Sequence, residues 1–410
     1  MLNPPTFDAL IVGAGPAGSH TALRLARAGH RVGLLDARSF PRAKPCGEFL
    51  SPACLPMLQE LELLDPLIDA GAAQVRGMHI ASPAHQTQGD YSPLGGYASS
   101  HGHGLGVRRE VLDTLAVEAA GKHPGIRLLL GWRAEQPLRA EDGRVCGLTA
   151  RDPEGHSAPL RARFLIAADG LHSRIARELG WSRPASTPPR FAIVARFDEV
   201  PERQMAGLHV LGRDYFAACP IDGGSYTANL VVDRAQMRGG QHGLRALFQE
   251  RLQEAPVLAR VLGDRKPSEA LLACGPLRSR TRRTTGPGAA LVGDACGFVD
   301  PMTGEGLYYA MRGAALLAPA VDCALRAPTQ EARALRRYVR ARRLEFGPRY
   351  ALARLLQRGL RQPGLPDRVV GMLQRSPRVQ ALLLGLTGDY LPPSALLRPS
   401  VWRAAGQPST

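Results

Sequence analysis

The chain has 410 residues, 44% of them hydrophobic and 21% charged, a balance that describes a globular protein large enough for two or more subdomains. It has no run of about eighteen apolar residues, so no membrane-spanning helix is expected; the opening MLNPPTFD lacks the basic and apolar regions of a secretion signal, which points to the cytoplasm. The net charge of +16 comes almost wholly from arginine, since lysine occurs only at Lys44, Lys122 and Lys266; this fits a solvated basic surface or one that meets an anionic membrane or partner, while 5% aromatic content and the lack of a nucleic-acid motif argue against a nucleic-acid partner.

The first predicted element is a strand, Ala9-Leu10-Ile11-Val12, followed at once by GAGPAG, Gly13 to Gly18. Gly13 permits a tight turn, Gly15 removes the side chain that would block a pyrophosphate, and Gly18 lets the next helix pack close to the strand. That helix, from Pro16 and Ala17 to about Ala28, points free N–H groups and its positive dipole end at the anion. A second strand, Arg31 to Asp36, ends in a carboxylate about twenty residues past the glycines, where a ribose is held. Asp36, with Ala37 and Arg38 beside it, favours an ADP-ribosyl group without a 2′-phosphate, hence FAD or NAD and not NADP.

A Pro- and Gly-rich loop from Phe40 to Pro52 comes next, then a helical region over Ala53–Leu67 and a strand over Val75–Ser82. A short strand at Leu105–Arg108 leads into a helix over Arg109–Ala120. Residues 126–168 read as several strands, the last of which, Phe164 to Ala167, runs up to Asp169-Gly170. Between 187 and 275 the texture changes to an antiparallel sheet, with strands at Phe191–Phe197, Leu208–Leu211, Tyr215–Pro220 and Tyr226–Val232 and one helix over Gly243–Glu254. A strand at Ala289–Val292 ends in Gly293-Asp294, a helix runs from about Glu305 to Ala324, and the remainder is mostly helical. In it Arg333, Arg336, Arg337, Arg340 and Arg343 share one helix face, as in a membrane-surface helix or an amphipathic cap. The seven cysteines are scattered, with no CxxC pair or metal-ligand spacing; they read as reduced thiols, and no metal is expected.

GAGPAG and Asp36 are followed, in order, by Arg109 opening its helix, by Asp169-Gly170, and by Gly293-Asp294 running on to Gly304-Glu305-Gly306. This constellation resembles the FAD-dependent oxidoreductases of the aromatic-hydroxylase type. KPCGEFLSP and GDACGFVDPMTGEGLYYAM make it most similar to the geranylgeranyl reductase family, over roughly residues 6 to 320. The resemblance implies an α/β fold with three parts. A discontinuous Rossmann-like FAD-binding domain takes 1–74, 101–186 and 276–328, an antiparallel-sheet substrate domain takes 75–100 and 187–275, and 329–410 forms a helical C-terminal region. It implies FAD held by Gly13, Gly15, Pro16, Ala17, Gly18, Asp36, Ala37, Arg38, Arg109, Asp169, Gly170, Gly293, Asp294, Gly304, Glu305 and Gly306, with Cys46 and Gly47 near the isoalloxazine. It implies catalytic candidates in Cys46, Glu48 and Tyr215, Glu48 being either an acid or an Arg-paired anchor.

In the reductase family a Tyr/Trp-rich strand ending in Phe-Pro lines the substrate tunnel. Here the matching stretch is Tyr215 to Pro220, with Ala217 in place of Trp and Cys219 in place of Phe, so the cavity is expected to be wider. The function implied is reduction, by reduced flavin, of a double bond in a small apolar isoprenoid-like or polyketide-like substrate. The flavin would be recharged by NAD(P)H or a partner reductase, with peripheral membrane contact through the basic helix. Three alternatives stay open: a monooxygenase acting through a C4a-hydroperoxide, a flavin halogenase, and a non-catalytic basic binding protein. The oligomeric state is not legible.

Overall fold

The computed structural model describes residues 7–184, 188–201, 203–238 and 240–406. The N-terminal residues read for a secretion signal, and the expected domain boundary at 186–187, lie wholly or partly outside the described residues.

The first strand, Phe7–Val12, lies between Ser157–Ala167 and Val32–Asp36, parallel to both. The sheet continues to Ile126–Leu130 on one side and, through Ala289–Leu291, to Thr285–Gly286 on the other. Parallel strands need cover on both faces, which explains the unbroken apolar run of the first strand. Ala9 and Ile11 face a core made with the helices Pro16–Arg27, Arg109–Lys122 and Gly306–Arg326, while Leu10 and Val12 face the opposite layer. That layer is an antiparallel branch, in which Ser157–Ala167 pairs Val145–Arg151, which pairs Arg133–Arg139.

The second sheet has seven strands in the order Leu272–Cys274, Arg190–Phe197, Tyr226–Asp233, Asp214–Pro220, Met205–Leu211, Gly77–Ala81, Gln86–Asp90. All neighbours are antiparallel except Met205–Leu211 with Gly77–Ala81. One face packs on the helices Gly240–Gln253 and Pro256–Leu262 through Phe216, Ala228, Leu230 and Val232. The other carries Met78, Leu208, Cys219 and Val231, and its outer end is roofed by the C-terminal helices Leu365–Arg375 and Pro377–Thr387, which supply Val370, Leu373 and Leu384. A small sheet of Phe49–Leu50, Gly104–Gly106 and Ala73–Val75 lies where the chain passes between the two large ones.

Several expected elements change on inspection. The helix expected over 53–67 is two helices, Leu55–Glu60 and Leu64–Asp69, broken where Glu62 takes a left-handed conformation (φ 60°). The strand expected over 75–82 is interrupted at Arg76, whose N–H bonds Gln204 O as the chain moves from the small sheet to the large one. Strand Gln86–Asp90 and helix Pro256–Leu262 were not expected at all. The five arginines read as one helix face lie on Glu331–Leu360 and are all exposed.

Candidate active site

Between the glycine turn and the second sheet lies a cavity of about 470 Å³. Its polar wall comes from Gly15, Arg42, Lys44, Arg109, Asp169 and Asp294; its apolar wall from Ala192, Val194, Ala206, Leu208, Ala217 and Val231.

Local sequence explains the polar wall. Gly13 has φ 100°, and a Cβ there would stand 2.5 Å from Ala168 O, while a Cβ on Gly18 would stand 1.8 Å from Gly13 O. The two glycines are therefore what closes the strand-to-helix turn. A Cβ on Gly15 would meet nothing nearer than Arg42 Nη2 at 3.6 Å and Arg109 Nη2 at 3.8 Å, so Gly15 opens a cradle flanked by two guanidinium groups and the N-terminus of Pro16–Arg27. Arg109 is buried, and Asp113 one helical turn on holds its Nε and Nη2 at 2.8–2.9 Å. Burial alone would weaken the guanidinium's hold on its proton, but Asp113 and Cys46 more than reverse that. Asp36 accepts from Ala14 N at 2.8 Å and Arg38 N at 3.0 Å, which locks the second strand end to the glycine turn.

Two carboxylates lie deeper. Burial raises the pKa of Asp294, and the charges of Lys44 and Arg109 oppose that rise. Burial likewise raises Asp169, against hydrogen bonds from Ser173 and from the backbone, including Ile175 N at 3.1 Å; its Oδ1 is buried with no partner. Lys44 is pushed down by burial and by Arg109, and Asp294 and Asp113 pull it back. The polar wall is thus a set of buried charges of both signs gathered around a void.

Of the expected site residues, Gly15, Pro16, Ala17, Cys46, Gly47, Glu48, Arg109, Asp169, Gly170, Ala217, Cys219, Asp294, Gly304 and Gly306 line this cavity. Gly13, Gly18 and Gly293 shape the turns behind it, and Asp36, Ala37 and Arg38 stand beyond its rim at the strand end, the last two exposed.

Three expected site residues stand elsewhere. Tyr215 does not line the cavity: it is fully buried under the roof and donates to Asp300 Oδ1 at 2.6 Å, which ties the second sheet to the turn after Asp294. Pro220, at the far end of the same strand, is also outside. Glu305 points away, accepting from the Thr303 and Tyr309 hydroxyls at 2.6 and 2.7 Å and from Arg349 Nη1 at 3.1 Å. Of the two roles open to Glu48, the structure shows the anchor. It takes a left-handed conformation (φ 56°) and its carboxylate is held by Arg196 and by Arg109 N. Burial raises its pKa, with Arg196 working against that.

Residues that went unread include Arg42, Asp113, Phe49, Met78, Phe298 and Met302. Asp113 had a signal in its i,i+4 spacing from Arg109. Phe49, Phe298 and Met302 lie inside the motifs that carry the resemblance but had no role of their own there, and Arg42 and Met78 are single side chains of which spacing says nothing.

An open glycine cradle with two cations, a buried unpartnered carboxylate oxygen and a second buried carboxylate beside a lysine together match a diphosphate at one end and hydroxyl-bearing groups at the other. This donor set fits the flavin dinucleotide implied by the sequence resemblance.

Comparison with known proteins agrees. Residues 6–346 match the FAD binding domain family. Conditioned medium factor receptor 1 of Dictyostelium discoideum is 27% identical, covering 96% of this chain and 79% of its own. Menaquinone reductase of Mycobacterium tuberculosis is 29% identical over 77% and 76%. Digeranylgeranylglycerophospholipid reductase 1 of Methanopyrus kandleri is 30% identical over 74% and 77%. Among solved structures, a flavoprotein/dehydrogenase from Cytophaga hutchinsonii superposes with a TM-score of 0.80 at 17% identity over 94% and 93% of the two chains. The myxobacterial chondrochloren halogenase CndH gives 0.80 at 21% over 97% and 99%.

Proposed function

The chain belongs to the FAD binding domain family and is an FAD-dependent oxidoreductase, and on that premise we propose that it reduces a carbon–carbon double bond in an apolar, isoprenoid-like or polyketide-like substrate. The observation that carries this reading is the apolar wall. Opposite the charged residues, the second sheet presents Ala192, Ala206, Ala217 and Leu208, an apolar contact area whose polar exception is Asn229, with its Oδ1 buried and unpartnered. Similar proteins that bear the names of menaquinone and digeranylgeranylglycerophospholipid reductases lend support.

Bound FAD supplies two-electron, hydride-type redox chemistry. The chain's own residues do the rest. Gly15, Arg42 and Arg109 would hold the diphosphate, and Asp169 and Asp294 the hydroxyl-bearing part. The apolar wall and the helical roof exclude water and orient the alkene. Across the double bond two electrons and two protons are added, drawn from NAD(P)H or a partner reductase and from solvent. Of the three expected catalytic residues, Tyr215 stands outside the cavity and Glu48 is committed to Arg196, which leaves Cys46 to hold a proton at Sγ on the cavity wall.

The test is single turnover without oxygen. Protein reduced by dithionite is mixed with menaquinone-type and polyprenyl alkenes, and the product is examined for a gain of two hydrogens. Turnover under argon is expected. A strict need for oxygen, with an oxygen atom or a halide in the product, would replace this reading with oxygenation or halogenation.

A further inference from the structure

Outside the cavity, one surface gathers arginines. The segment after Leu277 runs beside Ser182–Arg183, with Ser182 opposite Thr281 and Arg183 opposite Arg280. Together with the helix Glu331–Leu360 it walls a cleft of about 830 Å³. On the helix, Val339, Arg342, Arg343, Tyr350, Arg354 and Arg358 recur at helical spacing and so share one face; Arg183 and Arg278 stand opposite. Nine arginines line the cleft, and among the described residues no Asp or Glu does. Among the described residues, the ion pairs made by an arginine of this helix are those of Arg349 with Glu305 and Asp389; none uses Arg342, Arg343, Arg354 or Arg358.

Arg342 is the most constrained of the set. It is half-buried, its guanidinium lies 5.6 and 5.8 Å from the Phe346 and Tyr350 ring centroids, and it donates to Tyr350 Oη at 3.1 Å. A partly buried cation with aromatic, hydroxyl and thiol neighbours but no carboxylate partner among the described residues is poised for an external anion. Guanidinium groups also suit phosphate better than a lysine would, because their fork matches two oxygens at once.

The floor of the cleft is Cys296 to Val299, and Phe298 lines both this cleft and the cavity. A ligand anchored here would rest on the back of the segment that carries Asp294 and Pro301 to Gly304 into the cavity.

We infer that this cleft is a second binding site, one that takes the phosphate or diphosphate group of a small ligand acting at the adjacent cavity. The inference goes beyond double-bond reduction and stands whichever reaction the cavity performs. The phosphate chemistry is shared by two sources, a nicotinamide nucleotide that supplies electrons and a substrate with a phosphorylated head.

The test titrates inorganic diphosphate into the FAD-loaded protein by calorimetry, alongside the double variant Arg354→Gln/Arg358→Gln. Both side chains are exposed, and the flavin absorbance band reports that fold and cofactor are intact. One saturable site is expected, at least tenfold weaker in the variant, with the flavin band unchanged. Displacement of diphosphate by NADPH assigns the site to the electron donor; displacement by a prenyl diphosphate but not by its alcohol assigns it to the substrate head. Absence of saturable binding, or equal affinity in the two proteins, overturns the inference.

Discussion

Gly15 and Gly18 stand three residues apart, yet a methyl group on each would meet opposite fates. At Gly18 it would overlap Gly13 O at 1.8 Å, whereas at Gly15 the nearest atom is 3.6 Å away and the backbone φ of −74° suits any residue. Gly18→Ala is therefore expected to cost about 3 kcal/mol of stability by overpacking. Gly15→Ala should leave urea unfolding of the cofactor-free protein within about 1 kcal/mol of wild type, while weakening FAD binding about tenfold, near 1.4 kcal/mol. Equal loss of stability in both variants would contradict this division.

His20 offers a pH test. It is fully buried, neither ring nitrogen has a partner, and burial pushes its pKa from 6.5 down to about 3. The unfolded chain therefore takes up the proton first as pH falls. Stability is whole above about pH 6.5 and erodes by about 1.4 kcal/mol per pH unit from there down to about 3. His20→Leu should stabilise the protein, with a larger gain at pH 5 than at pH 8 in urea titrations. Cys46→Ala should retain FAD and slow single turnover by about a hundredfold. At this scale the glycines and Asp36 were legible because their constraint is local. Tyr215 was not, since its partner Asp300 lies 85 positions away.

Among the elements, the turn entering Gly306–Arg326 depends on a residue far along the chain. Arg349 of the long helix donates to Glu305 Oε1 at 3.1 Å, to Asp389 Oδ1 at 2.7 Å and to the Asp389 carbonyl at 2.8 Å, all in the interior. The C-terminal region thereby holds the turn whose Gly304 and Gly306 line the cavity. Arg349→Met strands two buried carboxylates and is expected to cost about 3–5 kcal/mol. Retention of FAD through gel filtration should fall with it, and full retention would show that the turn stands without this support. Sequence pattern announced the turn and the helix, whose composition and period are local. It assigned Glu305 to the cofactor because nothing near it in the chain reveals Arg349. In the same way Gln86–Asp90, polar and interrupted by Gly89, carried no strand signal; its place comes from pairing with Gly77–Ala81 and from Gln380, which donates to Gln88 O at 2.6 Å.

For the molecule as a whole, the distance between a charged wall and an apolar wall sets what can be bound. Ala217 stands on the apolar wall, where a large side chain would fill the space. Ala217→Trp should preserve FAD binding yet abolish turnover of long-chain substrates while sparing short ones, as measured by product yield against chain length; unchanged length dependence would remove Ala217 from the wall's role. The division into two sheets was legible from the change of texture near residue 187, but the sharing of the second sheet between distant parts of the chain was clear only in outline. Strand Gly77–Ala81 joins that sheet through Met205–Leu211, and the parallel pairing leaves it no nearer substitute on that side. Some 120 residues separate the two, so at about 5–20 residues per second a ribosome needs roughly ten seconds to deliver the partner. For that interval the newly made Met78 and Ile80 sit on a two-stranded hairpin with Gln86–Asp90 alone, and the helices that finally roof this region are synthesised later still. The architecture that encloses the cavity therefore leaves an apolar strand pair exposed for part of the protein's own synthesis, a window in which aggregation competes with folding.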